Sequence, residues 1–281
     1  MSVALARRMA DIAPFHVMAL LARARELEAA GRSIIHAEIG EPDFPTAEPI
    51  IAAGQRALAE GRTRYTPAAG LPELRQAISS HYQKQYGVEV PARRILITPG
   101  ASGALQLATA VRVNPGDRVL LADPGYPCNR HFVRLVEGEA VGIPVGPETG
   151  YQLTADLVEQ YWDERTAAVL LASPANPTGT VVPPEELAAI VATVEARGGR
   201  VIMDEIYHGL VYGAALQTAL AYSDQTFVVN SFSKFYGMTG WRLGWLVAPE
   251  DSVGAAEKLA QNLFLAASTP AQHAALAAFT L

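Results

Sequence analysis

Ser231-Phe-Ser-Lys-Phe-Tyr-Gly-Met-Thr-Gly-Trp-Arg-Leu-Gly244 is the stretch whose reading decides the fold. It joins two apolar, β-like runs, residues 226–230 and 243–248. Its lysine stands between aromatic and small residues, with no other charge before Arg242. Lysine normally lies among charges on a solvated surface. Held near apolar groups, the ammonium loses solvation, its pKa falls and the amine becomes a usable nucleophile. Such an amine can form an imine with a carbonyl compound. Ser231 and Arg242 can flank a phosphate, with arginine as a bidentate donor. The competing reading is a turn whose lysine snorkels to water. The two are separated by what the rest of the chain supplies.

The outward reading begins with composition. A chain of 281 residues, half of them hydrophobic and 18% charged, has enough apolar material for one large core or two modest ones. The net charge is −6 and no basic run occurs, which argues against a nucleic-acid partner. Cys128 is the only cysteine, so no intrachain disulfide forms and a reducing compartment is expected. Charge interrupts the first apolar residues almost at once, which fits neither a secretory signal nor a membrane span. These features together predict a cytoplasmic protein.

Residues 4–30 show helical periodicity through Ile12, Phe15, Met18, Leu20 and Leu21, ending at Gly31. A short strand is expected at 33–39. Gly40-Glu-Pro-Asp-Phe-Pro45 then excludes regular structure. Thr46 is expected to cap a helix reaching about Ala59, and a second helix covers 71–86. From Arg94 onward, apolar strands at 95–98, 118–122, 140–145, 167–172, 200–204 and 226–230 alternate with helices at 101–113, 184–197 and to about Val136. Glu185 and Glu186 suit the first turn of the 184–197 helix, and Gly199 closes it. A helix at 251–267, a break at Ser268-Thr-Pro270 and a new helix from about Ala271 finish the chain. This alternation predicts an α/β fold: a mostly parallel, seven-stranded sheet with helices on both faces.

In open sheets of this kind, ligands bind beyond the carboxyl ends of the strands. Pro99-Gly100-Ala101-Ser102-Gly103 follows the first strand and opens a helix, whose free amides suit an anion. Tyr126 follows the second strand and Asn176 the fourth. Asp204 ends the fifth, with Tyr207 three residues on. Ser231, Lys234 and Arg242 follow the last parallel strand. Convergent at one sheet edge, these are the groups that pyridoxal 5'-phosphate requires. Asp204 pairs with the ring nitrogen, and Asn176 and Tyr207 reach the phenolic oxygen. Tyr126 stacks on the ring, Gly100, Ala101, Ser102, Ser231 and Arg242 hold the phosphate, and Lys234 carries the imine and the proton. No metal is called for, since the six histidines lack ligand spacing. Ser231-Phe-Ser-Lys234 also matches the S-x-x-K motif of penicillin-binding serine hydrolases. Ser223-Asp-Gln225 only approaches their S-D-N, however, and K-T-G does not occur. Gly100-Ala-Ser-Gly103 falls short of the dinucleotide G-x-G-x-x-G.

With Ser173-Pro-Ala-Asn-Pro-Thr-Gly179, Asp204-Glu-Ile-Tyr207, Ser231-Phe-Ser-Lys234 and Gly240-Trp-Arg-Leu-Gly244 in that order, the chain resembles the class I/II aminotransferases of the fold-type I pyridoxal-phosphate enzymes. The resemblance runs from about Ile34 to Leu281. It implies transfer of an amino group between an amino acid and a 2-oxo acid through a Lys234 Schiff base, with Asp204 and Tyr207 also at the catalytic centre. It further implies that Gly40 and Asn176 touch the substrate carboxylate. Tyr65, in Arg-Tyr-Thr-Pro, would cross a homodimer interface to the neighbouring subunit's phosphate. On this likeness residues 1–45 form an arm and small-domain segment, 46–270 the cofactor-binding domain, and 271–281 the start of an inter-domain helix. The family's remaining small domain and its carboxylate-clamping arginine have no counterpart here, so the chain reads as a fragment with impaired activity. A C–S lyase of the same fold, or a non-catalytic cofactor-binding domain, are the alternatives that the resemblance leaves open.

Overall fold

The computed structural model describes residues 4–213 and 216–280. Seven strands form one sheet: β1 (Ile95–Thr98), β2 (Arg118–Asp123), β3 (Glu139–Pro144), β4 (Thr166–Ala172), β5 (Arg200–Asp204), β6 (Phe227–Ser231) and β7 (Gly244–Val247). Their spatial order is β1-β7-β6-β5-β4-β2-β3. The pairs β2/β3, β2/β4, β4/β5 and β5/β6 are parallel, whereas β7 runs antiparallel to both β6 and β1. Six strands therefore point one way and β7 alone returns.

The near-continuous apolar runs follow from burial on both faces. Alternate residues enter opposite layers. Ile95, Ile97, Val169, Leu171, Val201, Met203, Val228 and Trp245 face one core. Leu96, Val119, Leu121, Ala168, Leu170, Ile202, Phe227 and Leu246 face the other. The first layer is closed by α2 (Glu48–Ala59), α3 (Pro72–Tyr86), α7 (Pro184–Ala196) and α9 (Thr269–Leu276), with α6 (Ala155–Tyr161) beside α7. The second is closed by α4 (Gly100–Arg112), α5 (Cys128–Leu135) and α8 (Val253–Leu263). Each fully buried Leu, Ile or Val contributes about 1.5–3 kcal/mol relative to exposure.

Several sequence expectations need correction. The single helix at 4–30 is instead a 3-10 turn, Arg7–Ala10, and α1 (His16–Ala29). Pro14 lies between them and disfavours helical geometry at the residue before it. No strand forms at 33–39. A strand needs a neighbour to satisfy its backbone, and Ile35 is 94% exposed. Thr46 does not cap α2, whose N-terminal flank is Ala47. Its hydroxyl donates to the Gly237 carbonyl at 2.6 Å and accepts from Trp241 Nε1 at 3.1 Å, tying α2 to the lysine-bearing loop. The turn after α7 takes its positive φ at Gly198 rather than Gly199. At Gly199 a Cβ would stand 2.3 Å from the Trp162 ring. The helix expected at 251–267 spans only Val253–Leu263, and α9 starts at Thr269. The unanticipated α6 did carry a signal, the N-cap Thr154, whose Oγ1 accepts from Leu157 N at 3.2 Å. Leu281, where the resemblance ended, lies outside the described residues.

Buried Gln272 seats α9. Its Oε1 accepts from Leu71 N at 2.8 Å, while Nε2 donates to Ala267 O and Thr66 Oγ1. At the start of β7, Gly244 pairs with Thr98 on one side and Ser231 on the other. A Cβ there would lie 2.7 Å from Asn230 O, 2.7 Å from Gly100 C and 2.9 Å from Ala101 N, all backbone atoms that have little room to yield. Gly244→Ala should therefore destabilise the fold by about 1–3 kcal/mol, measured by urea unfolding.

Candidate active site

Because β7 is antiparallel, its first residue lies at the same sheet edge as the last residues of β1 and β6. The loop joining β6 to β7 must therefore stay at that edge. Buried Phe232 pins it by packing against Trp245, ring centroids 5.0 Å apart, and against Phe279. The next polar residues, Ser233 and Lys234, face a cavity of about 1110 Å3. Lys234 Nζ donates to the Gly40 carbonyl. Burial pulls its pKa below the ordinary lysine value; Glu41 opposes that shift and Arg242 reinforces it.

Arg242 sits at φ +52° and donates through Nη1 to Thr239 O at 2.9 Å. Its guanidinium lies against the first turn of α4, where a Cβ on Gly100 would be 2.6 Å from Nη2. Gly100 also has φ +70°, so both its conformation and its neighbour exclude a side chain. A guanidinium beside the open amides of a helix N-terminus forms an anion cradle. Ala101 and Ser102, in that first turn, line the cavity.

Asp204 closes β5 and is 6% exposed. Its Oδ1 accepts one backbone hydrogen bond, from Ile206 N at 3.0 Å. Burial lifts its carboxyl to about 7, with that hydrogen bond opposing. A sealed carboxylate with so little compensation favours a cation brought into the cavity. Tyr207 accepts from Asn176 Nδ2 at 3.3 Å. Burial and Asp204 raise its phenol pKa, and the Asn176 bond opposes. Tyr126, opposite, is raised by burial and by its hydrogen bond with Cys128, and meets Phe15 edge-on at 6.1 Å.

Of the residues expected at the site, Gly40, Ala101, Ser102, Tyr126, Asn176, Asp204, Tyr207, Lys234 and Arg242 line this one cavity. Gly100 lies just behind, under Arg242. Ser231 is 1% exposed and deeper. Its Oγ accepts from Ser233 N and lies 3.0 Å from Leu243 O, and Ser233 takes the lining position. Tyr65 stands 83% exposed outside the cavity of its own chain. Phe15, Val17 and Met18 form an apolar wall that sequence reasoning missed, as it did Glu38 and Glu41. Their role depends on the fold: none of the residues of α1 is buried, so its apolar residues have no core to fill, which the sequence does not reveal.

An amine, an anion cradle and a cation-seeking carboxylate at the strand ends of a parallel sheet define an α/β enzyme of carbonyl–amine chemistry. Residues 33–280 match the family model "Aminotransferase class I and II", and the chain belongs to that family. It is 44% identical over 273 residues to a valine–pyruvate aminotransferase of Mycobacterium tuberculosis, covering 96% of this chain and 70% of that protein. It is 34% identical to an aspartate aminotransferase of Geobacillus stearothermophilus, covering 98% and 72%. Among solved structures, an aminotransferase from Mycobacterium tuberculosis superposes with a TM-score of 0.95 at 43% identity, covering 99% of this chain and 72% of that one. The aspartate aminotransferase from Thermus thermophilus with maleate gives 0.95 at 32% identity, covering 99% and 73%. The chain is accordingly an aminotransferase.

The raised pKa of Asp204 has a consequence for stability. In the ligand-free protein its ionisation is disfavoured by folding, so its contribution is full below pH 3.8 and is lost as pH rises to about 7. Asp204→Asn should remove that loss. Thermal unfolding should find the variant more stable than the unsubstituted chain at pH 7, by on the order of 3 kcal/mol, and not at pH 4.

Proposed function

We propose that the chain transfers amino groups between an amino acid and a 2-oxo acid with pyridoxal 5'-phosphate held at Lys234. The observation that carries this reading is the single cavity in which Lys234, Asp204 and the Arg242–α4 cradle meet. Its donor set fits the group: a carboxylate for a cationic ring nitrogen, an anion cradle for a phosphate, and an amine for an aldehyde. When bound, the cofactor supplies a protonated ring that withdraws electrons from the substrate α-carbon.

Each remaining role belongs to the chain. Asp204, ionised by a cation opposite, would hold the ring nitrogen protonated. Arg242 and the Ala101 and Ser102 amides bind the phosphate, with Gly100 giving them room and Ser231 bracing Ser233 beneath. Tyr126 would pack against the ring, and Asn176 and Tyr207 would hydrogen-bond its phenolic oxygen. Burial lowers the pKa of Lys234 and so eases loss of its proton, and the amine would hold the cofactor aldehyde and would carry a proton to and from the substrate α-carbon. Gly40 and Asn176 receive the substrate carboxylate. The Gly40 carbonyl holds the lysine until then.

The same reading takes residues 46–270 as the cofactor-holding unit and 1–45 as an arm whose apolar wall excludes water. Residues 271–281 lead out of that unit. It pairs two copies so that the exposed Tyr65 of one reaches the phosphate of the other, in the cytoplasm.

Incubation of the folded chain with pyridoxal 5'-phosphate should give a visible absorption band, and borohydride should fix the adduct at Lys234 by peptide mapping. Lys234→Ala should lose the adduct. Absence of any adduct at Lys234 in the unsubstituted chain would sink the proposal. Arg242→Ala should weaken cofactor binding about 10- to 100-fold in a fluorescence titration, the loss of charge-assisted hydrogen bonds worth about 1.5–3 kcal/mol.

A further inference from the structure

Asp204 is followed by a second buried acid that the chemistry above leaves without a task. Glu205 is 0% exposed and points to the opposite side of the strand end, toward α3. Its Oε1 accepts two hydrogen bonds, from Thr218 Oγ1 at 2.9 Å and Ala219 N at 2.8 Å. Its Oε2 is buried and receives none among the described residues. The nearest recorded polar neighbour of Oε2 is His208 Nδ1, 3.7 Å away. That same nitrogen lies 2.8 Å from the Tyr86 hydroxyl. His208 Nε2 is buried without a hydrogen-bond partner.

The arrangement decides where a proton sits. An ionised Glu205 would leave an anionic oxygen sealed from water with no donor, a costly state. It would also place two negative carboxylates on consecutive buried residues. A proton on Oε2 removes both penalties and leaves Oε1, with its two donors, as the carbonyl oxygen. His208 is neutral, because burial brings it down to about 4. Its Nδ1 then accepts from Tyr86, whose phenol burial keeps protonated. The titratable groups gathered here are Asp204 and His208 on the same loop, His81, Tyr82 and Tyr86 of α3, and Tyr236. The histidines are the two bases among them, and both are pushed toward the neutral form.

We propose that Glu205 is a positioning residue held as a neutral carboxylic acid in a buried Glu205–His208–Tyr86 cluster, so that Asp204 carries the single negative charge at the strand end. The role assigned to Asp204 rests on the reading given under Proposed function; the protonation of Glu205 does not. Burial raises the Glu205 carboxyl to about 8, against the Ala219 and Thr218 hydrogen bonds, which agrees with the geometry.

Glu205→Gln is the discriminating substitution. Its amide keeps the accepting oxygen and places a donor where the proposal puts the carboxyl proton. The full chain at neutral pH should show an infrared band of a protonated carboxyl that shifts on 13C-labelling of glutamate. That band should vanish in E205Q and persist in D204N. The labelling experiment needs no substitution, so it decides the question even where E205Q fails to fold. A band that is absent, or that survives E205Q, overturns the proposal.

Stability supplies a pH profile. A carboxyl raised from 4.5 to about 8 loses its contribution across that interval as pH rises. E205Q should lack this loss, so its melting temperature should gain on the unsubstituted chain between pH 5 and pH 8. Parallel profiles overturn the proposal. With cofactor bound, E205Q should reproduce the unsubstituted absorbance titration below about pH 8 and remove only the change above it. A displacement over the whole range overturns the positioning role. A glutamate band with no adduct at Lys234 instead overturns the reading of the site and leaves the protonated Glu205 standing.

Discussion

The pairing of β7 between β1 and β6 is the constraint on which the cavity depends. A seventh parallel strand would have carried the chain back across the sheet before re-entering, and Arg242 would have emerged at the wrong edge. Antiparallel entry keeps the β6–β7 loop where the other strands end. Gly244 then lets the backbones of β6, β7 and α4 approach closely enough for the Arg242 guanidinium to reach the first turn of α4. The anion cradle is thus a product of strand direction and two absent side chains, at Gly244 and Gly100, more than of any single charged residue.

A second constraint is electrostatic. The sheet edge brings Asp204 and Glu205 out of water together, and no salt bridge neutralises either among the described residues. The molecule separates their environments. Asp204 opens on a cavity that can receive a cation, while Glu205 closes on Thr218, Ala219, His208 and the tyrosines of α3. Two acids that are neighbours in sequence therefore face opposite fates, because alternate residues of a strand end look in opposite directions.

Much of this was legible in the sequence. Apolar strands bounded by turn residues marked the sheet, and the groups following each strand marked its working edge, since parallel strands bring their carboxyl ends together. Features that depend on a partner were not legible. Residues 33–39 have strand composition, but composition does not say whether a neighbour is present. Thr46 looks like a cap, yet its hydroxyl is drawn away by Gly237 and Trp241, nearly two hundred positions along the chain. Ser231 reads as a phosphate ligand, and only the folded loop shows that Ser233 lines the cavity while Ser231 lies deeper. The burial of Glu205 is not legible, because a carboxylate after a strand reads as solvated until the helix covering it is known.

The neighbours of β7 also bear on the order in which the molecule can be made. The edge strand β1 finds its pairing partner only at Val247, about a hundred and fifty positions downstream. During synthesis, β2 to β6 can associate first, leaving β1 without its pairing partner until β7 leaves the ribosome. Such long-range closure is slow and exposes apolar edges meanwhile. The cradle formed by Arg242 and the first turn of α4 is therefore completed late, in one step, when β7 slots between β1 and β6.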